Sequence, residues 1–533
     1  MRNAGLLRHI PILLGVFFSV PQASTWYVSP SGSDGNGGTQ AKPFASVLKA
    51  QSSATAGDTV WIRGGTYKFT AANNSCGGSQ TAIVDVIPLS KSGSKGNPIL
   101  YWAYPGETPL FDFSGVQDDC RIKGFTVSGN WIHMKGLEIV GVPQHNNLNH
   151  ESWGVWVSGS FNIFELLNMH DNMGPGLFIQ KGAGNLGLNC DSHHNWDKLT
   201  SNGSGQSADG FGVHVGASDT GNVLRGCRAW MNTDDGYDLI NCFASATIEH
   251  CIAAYSGYEP GTKKSLAAGN GNGFKLGGYG ADATLLPTKI PKHRGLFNLA
   301  FECKANAFYA NHHPGDLEFS NNTGLNSGVQ FDMLGLKADG TTTGVAITVG
   351  TFRNNLAYGG TIVADNKNNT SNDTYNSWNL SPAPTSSDFV SLDTAGVFGP
   401  RNPDGSIPSF KYGHLAAKSH YIGAGTDVGF GAKPDLGAFP YATSTSLASR
   451  SGVLPFQAVA MRDQILVHLP LDRESSVDLQ VVGPEGRILA TATSVRSAGE
   501  PEISIPIPAA GLAFVRASVD GQVVGTEAVF LHR

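Results

Sequence analysis

Charge is scarce in this chain. Asp, Glu, Lys and Arg make up 15% of its 533 residues, and the formal net charge is only −6. So even a balance offers no electrostatic footprint for nucleic acid or for an anionic membrane. Long apolar runs are also missing. The clearest one, Ile10 to Val20, is too short to span a bilayer, and no other segment reads as transmembrane. Preceded by Arg2 and Arg8 and followed by Pro21-Gln-Ala-Ser24, it reads as an export signal over residues 1–24, cleaved near Ala23 or Ser24. The chain is therefore expected to be secreted, either outside the cell or into the periplasm of a Gram-negative bacterium. Regular hairpin turns are absent from its body, which argues against a propeller or a sandwich there.

Glycine is what the chain has in excess, with 68 residues. It recurs in short segments of the form x-Gly-apolar-x-apolar: WGVWV from Trp153, PGLFI from Pro175, DGFGV from Asp209, DGYDL from Asp235, NGFKL from Asn272, a degenerate NAFYA from Asn306, and SGVQF from Ser327. Intervals of roughly two to three dozen residues suit one coil of a solenoid with variable loops. A second column lies upstream in LGLNCDS, VLRGCRA, TIEHCIA and AFECKAN, where strand-like alternation surrounds Cys190, Cys227, Cys251 and Cys303. Two columns repeating in phase predict an all-β fold, a parallel β-helix. Seven cysteines leave at least one unpaired. The four in the column are expected as small apolar thiols stacked in the bore. Cys76 and Cys120 are the candidates for a bridge, and Cys242 has no evident partner.

The β-helix is expected over 25–441, with GAKPDLGAFPY closing the solenoid at Tyr441. A Ser/Thr-rich linker over 442–452 follows. Residues 453–533 alternate tightly between turns such as GPEG and predict a small antiparallel β-sandwich, an accessory domain without an evident aromatic platform.

In a parallel β-helix, equivalent residues of successive coils lie about 4.8 Å apart. Asp209 and Asp235 share the place before the Gly, with Asn272 next; Gly212, Asp238 and Lys275 share the place two residues after it. Four carboxylates, counting Asp234, and one lysine therefore converge on one outer face. So many aspartates repel one another unless protonated or neutralised. Oxygen ligands of this kind suit Ca²⁺, and no His or Cys is placed to favour zinc or copper. Lys275 is either a salt-bridge partner of Asp238 or a Brønsted base. A uronic acid polymer offers matching chemistry: a metal acidifies C5–H, the lysine removes it, and the C4 oxygen leaves by β-elimination.

SADGFGVH, NTDDGYDLIN and GNGFKLGG, in that order, resemble the signature of polysaccharide lyase family 9, the pectate lyases built on a right-handed parallel β-helix. NWDKLTSNGSGQ from Asn195 is similar to the loop before the family's first aspartate, and the resemblance covers Trp26 to Tyr441. It implies Asp209, Asp234, Asp235 and Asp238 as calcium ligands and Lys275 as the catalytic base. It further implies polygalacturonate as substrate and 4,5-unsaturated oligogalacturonides as products. The chain is expected to act as a monomer. Four aspartates against one calcium would raise the lysine pKa, so an optimum above neutrality is expected. Substrate carboxylates would fall to cations in flanking insertions, Lys263, Lys264, Lys289, Lys292 and Arg294, of which Lys292 and Arg294 are the candidates. His293 beside them reads as structural. Two rivals remain. A polygalacturonase-type hydrolase would need RIK after the aspartates, whereas here it lies at Arg121–Lys123. A non-catalytic, calcium-stabilised β-helix that binds acidic glycans would need the aspartates but not Lys275.

Overall fold

A computed structural model describes residues 23–70, 82–145, 151–200, 203–279, 286–337, 344–367, 372–428 and 434–441, together with seven strands between 457 and 531. The expected export signal and linker lie, except for residues 23 and 24, outside the described residues. Among those described, no helix is long and apolar enough to cross a membrane.

Three long parallel sheets of 10, 12 and 10 strands wind around one core. Sheet I runs from Ile83–Leu89 to Thr361–Ala364, sheet II from Thr25–Val28 to Asp373–Thr374, and sheet III from Gly65–Lys68 to Leu356–Tyr358. Each coil adds one short strand to each sheet, which is the expected parallel β-helix. The single α-helix among the described residues, Val47–Ser53, is capped by Ser46, whose hydroxyl accepts from the Lys49 amide at 3.1 Å. It packs on terminal strands of sheets I and II, where the stack would otherwise present open edges.

The repeated glycines have a steric cause. A Cβ at Gly154, Gly210, Gly236 or Gly273 would lie 2.6–2.7 Å from the carbonyl oxygen of the residue stacked on it in the next coil. One residue further on, the bore of sheet I holds a stack of five rings, Phe211, Tyr237, Phe274, Phe308 and Phe331, with centroids 4.6–5.1 Å apart. The turns carry buried asparagine ladders. Asn298, Asn322 and Asn355 each donate a side-chain amide to the side-chain oxygen of the next rung at 2.8–3.1 Å, ending at Asn376.

Cys190, Cys227 and Cys251 stack as expected, buried and free, each of the first two donating its amide to the next sulfur at 3.4 Å. Cys303 does not join them. The Cys251 amide bonds Asn298, which takes the fourth place. Cys303 lies one turn later, after the strand Leu299–Phe301, and its amide meets Ser327 Oγ. Cys242 is buried and free. Cys120 is disulfide-bonded, and Cys76 lies outside the described residues.

Of the segment expected to close the solenoid, residues 434–441 lie on its flank instead. After Asp373–Thr374 the chain turns back over sheet III and packs Phe389, Val397, Tyr412 and Leu436 against Ile252, Leu299, Phe301 and Leu325. Arg401 and Arg228 pin this strap through the Asp191 carboxylate and backbone carbonyls. Glycine- and proline-rich, it lacks the alternation a further coil needs. The C-terminal strands form two antiparallel sheets, of three and four strands, around Val467, Val477, Leu479, Ile503 and Val515, the small sandwich that the alternation predicted.

Candidate metal centre and its lysine

The outer face of sheet I carries the charged residues. Ladder register places Gly212 opposite Asp238, Asp238 opposite Lys275, and Lys275 opposite Tyr309. With Phe211, Tyr237 and Phe274 turned into the bore, alternation turns these neighbours outward. Asp209, Asp234 and Asp235 sit in the turns entering the same strands. Asp209 Oδ1 accepts the Asp235 amide at 3.1 Å, Asp234 Oδ1 that of Asn270 at 2.6 Å, and Asp235 Oδ1 both that of Asn272 at 2.8 Å and its side-chain amide at 2.7 Å.

Side-chain oxygens of Asp209, Asp234 and Asp235 lie within 4.8 Å of one another, and all three residues are buried. Asp235 Oδ2 is buried without a hydrogen-bond donor aligned on it. Three convergent carboxylates at that spacing fit a hard divalent cation such as Ca²⁺. Asp238 stands at the edge of the group and accepts from Lys275 Nζ at 3.0 Å and from the Ile240 amide at 2.7 Å. Lys275 Nζ also lies 3.1 Å from Asp235 Oδ2.

Burial first, and then the neighbouring carboxylates, push Asp209 and Asp234 well above the ordinary carboxylate range, and Asp235 upward too, against the pull of Lys275. For Lys275 burial opposes the charge, but Asp235, Asp238, Asp234 and Asp209 together outweigh it and hold the ammonium well above its usual pKa.

Lys292 and Arg294 are not brought to this group. Arg294 opens a strand of sheet II and bonds Glu318 at 3.0 Å, while Lys292 pairs with Asp316 at 2.8 Å. Lys263 and Lys264 pair with Glu302 and Glu259. His293 is fully buried, its Nδ1 3.4 Å from the Ala246 amide. Two residues near the centre drew no attention in the sequence. His214 Nε2 lies 3.8 Å from Asp238 Oδ2, and Tyr309 occupies the place after Lys275. Aligning the degenerate repeat NAFYA on NGFKL would have found the tyrosine.

A family model described as Pel9A-like, right handed beta helix region, matches residues 26–355. The chain is 33% identical to pectate lyase L of Dickeya chrysanthemi, across 78% of its own length and 90% of that protein. It is 31% identical to pectate lyase PEL9 of Emericella nidulans, across 78% and 98%. Among solved structures, a rhamnogalacturonan lyase superposes with a TM-score of 0.69 at 36% identity, covering 74% of this chain and 97% of that one. Pectate lyase Pel9A gives 0.65 at 30%, covering 79% and 97%.

Proposed function

Since this chain belongs to the Pel9A-like right-handed β-helix family, the family 9 polysaccharide lyases, we propose that it is a calcium-dependent pectate lyase, exported by its N-terminal signal to act on polygalacturonate. The observation carrying this reading is a buried lysine in ladder register with Asp238, one coil beyond a triad of carboxylates. Asp209, Asp234 and Asp235 would hold Ca²⁺, with Asp238 as the fourth carboxylate at their edge. Bound there, the ion would draw electron density from a uronate carboxylate and acidify the adjacent C5 hydrogen. Lys275 takes the C5 proton, C4=C5 forms, and the C4–O4 bond breaks without water, leaving a 4,5-unsaturated uronate. The facing aspartates keep the amine protonated, so its base form grows as pH rises and the optimum falls above neutrality.

The test follows ultraviolet absorbance of the unsaturated product on polygalacturonate with calcium and then with chelator. We expect a calcium-dependent rise that vanishes in Lys275→Ala and grows on the alkaline side of neutrality. An acidic optimum would sink the lysine as base. New reducing ends without absorbance would mean hydrolysis, and binding of polymer untouched by Lys275→Ala would mean a non-catalytic module. The likeness to a rhamnogalacturonan lyase supports a second reading, a backbone alternating with rhamnose. The ratio of kcat/KM on the two polymers decides between them.

A further inference from the structure

Lys275 has a neighbour in its own column for which the reaction above has no use. The strands Phe274–Lys275 and Asn306–Tyr309 pair in parallel with Lys275 opposite Tyr309, so the two side chains leave the same outer face about 4.8 Å apart at their bases. Beneath them Phe274 and Phe308 stack at 5.1 Å and 5° in the bore, holding both strands in place. Lys275 Nζ is drawn toward Asp235 and Asp238 of the preceding coil, whereas half-buried Tyr309 stands on the other side. A sugar seated over Lys275 would thus meet an amine on one side and a phenol on the other.

We propose that Tyr309 is the general acid of this site, protonating the departing O4 while Lys275 removes the C5 proton; this rests on the lyase reading above. Unassisted elimination expels O4 as an alkoxide, a poor leaving group, and a positioned acid contributes roughly 10²–10⁴-fold. The electrons balance within the two residues. The C5–H pair becomes the C4=C5 bond, the C4–O4 pair stays on O4, and O4 takes the phenolic proton. Turnover leaves an ammonium and a tyrosinate side by side in the ladder, and one proton passed between them restores both.

The surroundings of Tyr309 suit an acid that works in alkali. Burial, Asp332 of the next coil, Asp235 and Asp365 push its phenol up to about 12 against the opposing effect of Lys275. The His312 ring, also facing it at 6.4 Å, is held toward its neutral form by burial. The phenol thus stays protonated over a range in which a carboxylic acid or an imidazolium would already have lost its proton.

Tyr309→Phe keeps the ring and removes only the hydroxyl. On polygalacturonate with calcium we expect kcat to fall by about 10²–10⁴-fold, with KM, calcium affinity by calorimetry and Tm unchanged. Undiminished kcat, or a loss confined to KM as for a stacking platform, overturns the proposal. If the phenylalanine variant folds poorly, fluorotyrosine at 309 keeps the test open. A more acidic phenol must move the alkaline limb of kcat to lower pH, and an unmoved limb overturns the assignment. Wild-type protein that gives no unsaturated product would remove the lyase reading and the acid together, whereas an active wild type with an equally active Tyr309→Phe removes only the acid.

Discussion

Asp209 and Asp234 combine two states that conflict: they are buried, and they face further carboxylates. Protons therefore compete with a cation for these oxygens at pH values well above the ordinary carboxylate range. Calorimetric titration with calcium should show affinity falling as pH drops, with the decline beginning well above pH 4, and proton release on binding. A flat profile down to that range would mean that these residues are not the ligands. Asp234→Asn separates the two roles of the charge. Losing a ligand should weaken calcium binding by at least the roughly 10–100-fold cost of losing a supporting residue. In chelator the same variant should melt higher than wild type, because like-charge repulsion has been relieved.

At the scale of an element, stacking replaces the usual hairpin logic, and the asparagine ladder shows how tightly the turns depend on it. Asn322 donates to the Gly295 carbonyl at 2.8 Å and to Asn355 at 3.0 Å, and accepts from both the amide and the side chain of Asn298 at 3.0 and 3.1 Å. Asn322→Ala would leave buried groups above and below it without partners. We expect a loss of about 2–4 kcal/mol in urea unfolding at fixed calcium; a loss below about 1 kcal/mol would mean that water or a local shift replaces the ladder. The glycine column could be read in the sequence because a close carbonyl tolerates no other residue. The asparagine ladder could not, because its members are 24, 33 and 21 residues apart and loop lengths hide the period. The same variable spacing explains Cys303: its local alternation matched the thiol column while its turn was the next one along.

For the whole molecule, the flank of sheet II matters as much as the face that carries Lys275. Leu186 and Val223 stand on that sheet's outer side, yet are 0% and 3% exposed, in a cluster with Ile163, Leu188 and Val482 of the C-terminal sandwich. The sandwich shields an apolar patch of the solenoid and lies on a different sheet from Lys275. A chain ending after Tyr441 should therefore keep its kcat on polygalacturonate while losing roughly 2–4 °C of Tm. A collapse of kcat with Tm preserved would instead give the sandwich a part in catalysis.

The sequence alone determined the coil, the column of Asp209, Asp235 and Asn272, and the convergence of Asp238 with Lys275. Steric exclusion at the glycines and the period of two along each strand are local rules that need no distant partner. Only the tertiary structure decided which cations reach that face. Lys292 and Arg294 lie less than 20 residues from Lys275 in the chain, but the turn between sheets carries them onto another side of the prism, where Asp316 and Glu318 take their charge. The strap over sheet III and the partners of Cys303 were decided the same way. Each depends on how many residues a loop spends before the next strand, and no repeat constrains that number.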